Sequence, residues 1–399
     1  MLSNKISIVK ISVLFSIFFT YLFSAFLLAF ILTSCTDNKP TVRISAALPL
    51  LWSSSYAGEE LRDGLLMAAE EINEQGGING HKIEIIVKNA LSADGKISDS
   101  HAQKLFEELE RDDPLIILSC LSFVSMKLAT IAESKKRLLA GLVATVPELT
   151  QNREWVYRYW TTAEHEAPPM ADIFITIREQ ADKDLNAYIN TGRVAAKKGL
   201  GIIYLDDAYG SSVFADLAKR SKDNNIETVP SPFPSDKKDF ADNVDYIKDT
   251  KAVVVIGFDF HITNILKALR SAQYKGEIIS TTTATIPSIT SMREADGVHV
   301  TAPALYNKNY PFADKVKRRY EEKHGKPFTQ YSATGYDFIK ILIGLLEDKP
   351  LTQESVKAAF DKGFVYSGVF GNIELKKGSH DILFPLFPAQ IINGEIIYR

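Results

Sequence analysis

From residue 42 to about residue 350 the chain alternates short apolar runs with amphipathic helical periods, and it does so in two series. In the first, Val42–Pro49, Lys82–Lys88, Leu115–Leu118 and Leu138–Leu142 read as strands. Between them Gly58–Gln75, Ser98–Glu110 and Ser122–Glu133 read as helices, the first with Leu61, Leu65, Ala68, Ala69 and Ile72 on one stripe. The second series has strands Leu200–Leu205, Ala252–Gly257 and Glu277–Ser280, with helices Ser211–Ser221 and Thr263–Ser271. Strand–helix alternation at this spacing predicts parallel sheets covered on both faces. Two series of similar length predict an α/β protein of two doubly wound lobes rather than one very wide sheet.

Trp155–Trp160 with Thr161-Thr162 is the natural first crossing between lobes, His299–Pro303 a second and Pro385–Pro388 a third. That places lobe 1 at 42–161 plus 302–384 and lobe 2 at 162–301 plus 385–399. Near the end, Ser367–Leu375 and Phe384–Ile397 are expected to pair like a hairpin. The polar stretch Asp182–Lys198 reads as a surface extension of the helix before it.

The first 34 residues belong to neither lobe. Lys5 and Lys10 precede an apolar run from Ile11 to Ile31 that ends in Leu32-Thr33-Ser34-Cys35. A charged start, an apolar middle and small residues before a cut describe an export signal. The last four residues resemble a bacterial lipobox, which implies a lipid-bearing Cys35 after cleavage and a short tether over 35–41. The alternative is an uncleaved membrane-spanning helix, for which the run is long enough. With Cys35 lipidated, Cys120 has no disulfide partner. It reads as a small buried hydrophobe rather than a nucleophile. The formal net charge of −3, without a basic patch, argues against a nucleic-acid partner.

Further motifs carry a resemblance. They are Gly76-Gly77-Ile78-Asn79-Gly80, Ala144-Thr145-x-Pro147-Glu148-Leu149-Thr150, Asp207-x-Tyr209-Gly210, Asp239-Phe240 before a helix, and Gly368-x-x-Gly371. Their order and spacing resemble the type I solute-binding proteins of bacterial ABC transporters, of the branched-chain amino acid-binding type, over nearly all of the chain beyond the leader. The resemblance implies a periplasmic binding protein type I fold, with three hinge crossings, that closes on a small molecule and docks on an ABC permease as a monomer. It implies a lipid-anchored protein facing away from the cytoplasm, and neither cofactor nor metal. The 76–80 segment has a structural reading of its own, since Gly76 and Gly77 can stop a helix and Asn79-Gly80 can turn the chain.

In open α/β sheets, ligands sit beyond the carboxyl ends of the strands. Ser122 opens a helix there, with its hydroxyl and free amides available to a carboxylate and Ser125 nearby; a plain helix cap is the alternative. Family resemblance assigns the carboxylate to Ser122, and the carbonyl of Val143 and hydroxyl of Thr145 to the ligand's ammonium and carboxylate. Thr145 could instead only order the turn before Pro147. Tyr209 matches a tyrosine that closes from the second lobe, or else packs at a helix start. Asp259 is either an anionic partner for an ammonium or a helix N-cap ahead of His261. Tyr56 and Trp52 could wall the pocket. Where branched-chain binders carry an acidic residue after the 277–280 strand, this chain has Thr281-Thr282-Thr283-Ala284. The implied ligand is therefore an amino acid or related amide or carboxylate, not leucine, isoleucine or valine in particular. The seven His are not at metal-ligand spacing, and no nucleophile elbow or phosphate loop is present. A ligand-sensing receptor of the same fold, and a ligand-free lipoprotein regulating a cell-wall enzyme, are the alternatives to transport.

Overall fold

The computed structural model describes residues 40–51, 55–189 and 198–399. The leader, Cys35 and Trp52 lie outside the described residues. Among those described, no helix is long and apolar enough to cross a membrane.

The first half runs β1 (Thr41–Leu48), α1 (Ser55–Glu74), β2 (Lys82–Asn89), α2 (Asp99–Glu110), β3 (Ile117–Cys120), α3 (Ser122–Lys135), β4 (Leu139–Leu142) and β5 (Val156–Tyr159). Next come α4 (Ala163–Ile189), β6 (Lys198–Leu205), α5 (Ala208–Asp223), β7 (Thr228–Phe233), α6 (Ala241–Ile247), β8 (Thr250–Ile256), α7 (Asp259–Ser271), β9 (Glu277–Ser280), a short α8 (Pro287–Thr290) and β10 (His299–Pro303). The chain then returns through α9 (Pro311–His324), α10 (Gln330–Leu346), α11 (Gln353–Lys362), β11 (Phe364–Gly368), β12 (Gly371–Leu375) and β13 (Asp381–Leu383). It ends with β14 (Leu386–Ile392) and β15 (Glu395–Tyr398). The predicted elements appear with ends shifted by a few residues. Of the polar extension expected over 182–198, α4 covers the part up to Ile189.

Among the described residues the strands form two sheets, ordered β11-β12-β13-β5-β4-β3-β1-β2 and β15-β14-β10-β9-β8-β6-β7. β1 to β5 are mutually parallel, as are β6 to β10. Ala252 to Ile256 on β8 are all fully buried, as a strand covered on both faces must be. The order reverses at β1/β3 in one sheet and at β6/β8 in the other. Each reversal opens a crevice at the carboxyl ends of the strands.

The chain passes between the sheets after β5, after β10 and after β13. The stretches expected at the first two crossings contain strands of the sheets themselves, β5 and β10. The expected pairing of Ser367–Leu375 with Phe384–Ile397 is wrong. Ser367–Leu375 contains a turn, in which Gly368 pairs with Gly371 around Val369-Phe370, and Gly371 sits at φ +89. Phe384–Ile397 also turns back on itself, at Asn393-Gly394 (φ 50 and 82), and joins the other sheet. Two consecutive residues at positive φ make the turn that suits hairpin twist. The Val369-Phe370 tip is fully buried, and Asp337 of α10 accepts both tip amides, at 3.0 and 3.3 Å.

Two glycines let α1 and α10 cross backbone to backbone. A Cβ on Gly64 would lie 1.9 Å from the Ser332 carbonyl oxygen, and one on Gly335 would lie 2.4 Å from that of Leu61. After α1, Gly76 and Gly77 take positive φ, and the Gly77 amide bonds the Ile72 carbonyl at 2.9 Å, closing the helix. Asn79 in the next turn donates to the carbonyls of Leu346 and Lys349, fixing that turn to the end of α10.

Candidate functional site

β3 and β4 are neighbours, and the chain leaves each in the same unusual way. Leu121 follows β3 at φ 67, and Val143 follows β4 at φ 55. Bulky residues there cost about 1–3 kcal/mol each, and such strain gathers at functional sites. The effect is to turn the next residues toward each other. The Thr145 amide donates to the Ser122 hydroxyl at 3.1 Å, and both residues are buried. Ser122 also opens α3, whose first-turn amides and positive dipole end suit an anion. Because the Ser122 oxygen accepts from Thr145, its own proton is left to donate. Ser125 is engaged elsewhere, accepting from the Ser119 hydroxyl at 2.8 Å.

Beneath this loop lies Arg158 of β5, a guanidinium with no exposed side-chain surface. It donates to the carbonyls of Thr145 (2.8 Å), Ala144 (3.3 Å) and Pro147 (3.3 Å), and to the Thr150 hydroxyl (3.1 Å). Its charge is met by Asp381 of β13 at 2.8 Å, to which Thr150 also donates. Burial lowers the affinity of Arg158 for its proton, and Asp381 opposes that. A buried charge paired and hydrogen-bonded on every side holds a loop in one path. Arg158 is a positioning residue that the sequence reading missed. Its signal was one cation inside an otherwise apolar strand.

The opposite wall comes from the ends of β6, β8 and β9 and the start of α4. Asp207 caps α5 through the Gly210 amide at 2.8 Å. That sets Tyr209 in the first turn, buried, donating to the Thr281 hydroxyl at 3.1 Å. Phe258 packs parallel to its ring at 5.9 Å. Glu166, also missed from sequence, is 1 % exposed. One of its oxygens accepts from the Thr282 amide at 3.3 Å; the other has no partner. Burial pushes its carboxyl up to about 7, against the weaker opposing pull of that amide.

Ser122, Val143, Thr145, Tyr209, Glu166, Asp207, Phe258 and Thr283 line one cleft, together with Leu121, Phe123, Trp160 and Tyr331. The room open to a water molecule's centre is about 30 Å³, space for about two or three waters. Asp259 and Tyr56 are not among the lining residues. Tyr56 meets Tyr331 edge-on at 6.0 Å, and Tyr331 in turn stacks on Trp160 at 6.3 Å. Burial raises the phenols of Tyr56 and Tyr331, and Asp259 stands near enough to both to add to it. The cap position of α7 belongs to Phe258, whose amide donates to the His261 ring at 3.3 Å, so Asp259 is the first helical residue and not the cap. Cys120, at the end of β3, is free and buried. Among the described residues no group of three or more His, Cys, Asp or Glu is placed to hold a metal.

The site therefore presents donors on one side and acceptors on the other, at strand ends that flank two sheet reversals. Comparisons with known proteins agree with that architecture. A Leu/Ile/Val-binding protein homolog 8 from Brucella suis biovar 1 (strain 1330) is 24% identical over 241 residues, 59% of this chain. The chain spans 55% of that relative's length. A leucine binding protein LivK from Thermotoga maritima MSB8 superposes with TM-score 0.74 at 20% identity, covering 90% of this chain and 98% of the other. A solute binding protein of an ABC transporter from Rhodopseudomonas palustris BisB5, solved with 3,4-dihydroxy benzoic acid, also gives TM-score 0.74, at 18% identity over 90% of this chain and 95% of the other. The family model for periplasmic binding proteins matches residues 41–395, almost the whole described chain. The chain belongs to the periplasmic binding protein family, a family of solute-binding proteins and not of enzymes.

Proposed function

We propose that this protein is the extracytoplasmic substrate-binding lipoprotein of an ABC importer, anchored through Cys35 and closing on one small polar ligand. Lobes at 42–161 plus 302–384 and 162–301 plus 385–399 swing about the three crossings. The ligand's carboxylate or amide oxygen lies against Ser122, Thr145 and the start of α3, and Tyr209 covers it from the other lobe. The closed monomer then docks on a permease. The observation that carries this reading is the Thr145–Ser122 hydrogen bond at 3.1 Å in the cleft, opposite Tyr209. Two donor groups at adjacent strand ends can replace the water an anionic oxygen gives up. The two solved neighbours named above differ in ligand, one a leucine binding protein and the other a complex with 3,4-dihydroxy benzoic acid, so fold alone does not choose the ligand.

A thermal-shift panel of amino acids, amides, ureas and short carboxylates on the full chain tests it. A ligand that binds only the folded state raises the melting temperature. Mass analysis of the protein extracted from membranes tests the anchor: a chain that begins at a diacylglyceryl-modified Cys35 supports it, and one that keeps residues 1–34 counts against it. The narrowness of the cleft favours one second reading, a lipoprotein that binds no solute and acts through protein contacts. A panel with no shift in any class selects that reading.

A further inference from the structure

The charged groups lining the cleft are Glu166 and Asp207, and both are acids. Among the described residues no lysine, arginine or histidine lines it. Asp207 is satisfied by the α5 amides it caps. Glu166 is not: its second carboxylate oxygen is buried in the cleft wall without a donor. Arg158, the buried cation nearest in the chain, sits behind the 143–150 loop and is matched by Asp381. A buried polar atom without a partner is rare and calls for an explanation, and an unpaired buried carboxylate is costly.

The remaining walls fit the same missing partner. Trp160, Tyr209, Phe258 and Tyr331 line the cleft around Glu166. Aromatic faces attract cations, the more so when water is excluded. On the side of the first sheet, Ser122 and the start of α3 favour an anionic or acceptor group.

We infer that Glu166 is the acceptor for a cationic nitrogen of the ligand, so that the site selects small primary amines that carry an anionic or acceptor group as well. This rests on the receptor reading above and narrows it. The ammonium donates to the free Glu166 oxygen while the ligand's carboxylate or carbonyl faces Ser122 and Thr145. The acid comes from the helix that follows the first crossing, and not from the Thr281–Ala284 segment, whose residues are neutral. Glu166 thus moves with the second sheet, and its bond to the ammonium forms only as the cleft shuts.

The test uses the full chain in mild detergent and matched probes: glycine, L-alanine and L-leucine, each beside its N-acetyl derivative and its 2-hydroxy acid. Binding is read by thermal shift and calorimetry on the wild-type protein and on Glu166→Gln. The expected result is that at least one free amine binds the wild type, that its acetylated and hydroxy counterparts bind at least about thirtyfold more weakly, and that Glu166→Gln loses a similar factor for the amine. Acetyl or hydroxy compounds that bind the wild type as well as the amine overturn the inference while leaving the receptor reading intact. So does an undiminished amine affinity in Glu166→Gln. If Glu166→Gln fails to fold, the wild-type comparison of amine with acetyl derivative decides alone. Failure of these probes together with every amide, urea and carboxylate of the panel rejects the receptor reading itself, and the inference with it.

Discussion

The two walls of the cleft are built on opposite terms. The wall from the first sheet is finished without a guest. Ser122, Thr145, Arg158, Thr150 and Asp381 bond to one another or to the loop, and the strained turns at Leu121 and Val143 are held by that network. On the second wall, Tyr209 leans on Thr281, yet Glu166 keeps an oxygen unpaired and its carboxyl is pushed up to about 7 by burial. One side is a rigid die and the other an unfinished one. Preorganisation lowers the cost of binding on the first. In the proposed receptor, incompleteness on the second would supply the difference in ligand contact that makes closure depend on the ligand.

The largest expected effect breaks the finished wall. Arg158→Met strips three loop carbonyls of a donor and leaves Asp381 without its cation. It should cost about 3–5 kcal/mol in urea unfolding and abolish ligand binding, whereas a loss below about 1 kcal/mol would show that the loop holds its own shape. Next is Glu166→Gln, which should stabilise the empty protein. Glu166 in the folded state keeps its proton up to about pH 7, whereas an unfolded glutamate releases it near 4.5. The folded state thus holds more protons across that window, and stability falls as pH rises through it, levelling above about 7. The variant lacks this fall. Its melting temperature should match the wild type near pH 4.5 and exceed it at pH 8, by about 2–3 kcal/mol of stability. Asp337, whose carboxyl is also raised to about 7 by burial, is present in both proteins and cancels.

Thr145→Val keeps the loop amide and carbonyl but removes the hydroxyl. Affinity for a responsive ligand should drop about tenfold to a hundredfold in calorimetry, with the fold destabilised by less than about 1.5 kcal/mol. An unchanged affinity would remove Thr145 from the site. Tyr209→Phe should be mildest, about 1 kcal/mol from the lost bond to Thr281, visible as a faster ligand off-rate in stopped flow.

Most of this fold could be read from the chain, because apolar periodicity reports burial directly. Where the reading failed, the signal was ambiguous in kind. Val369-Phe370 is a hairpin tip, yet it is apolar and buried, so it looks like the middle of a strand. Asn393-Gly394 sits inside an apolar stretch that reads as one strand, yet the chain turns there between β14 and β15. β7 was hidden by Pro230 and Pro232, which a strand tolerates here because β7 is at the sheet edge, paired with β6 alone. In the cleft lining, Ser122, Val143, Thr145 and Tyr209 were legible through the family resemblance together with position, at strand ends and helix starts. Arg158 and Glu166 were not, since what marks them is a partner found or missing in three dimensions. Asp381 is 223 positions from Arg158, and Glu166 is conspicuous through a buried oxygen that lacks a hydrogen-bond partner.

The buried guanidinium grips the 143–150 segment mainly by its main-chain oxygens, which every residue type possesses. An exposed side chain of that segment, such as Glu148, can therefore be exchanged without unseating its path, whereas Ala144, Val146 and Leu149 are buried in the core. Descendants of such a chain can drift toward new cargoes by changing what decorates the rim, while the scaffold underneath stays put.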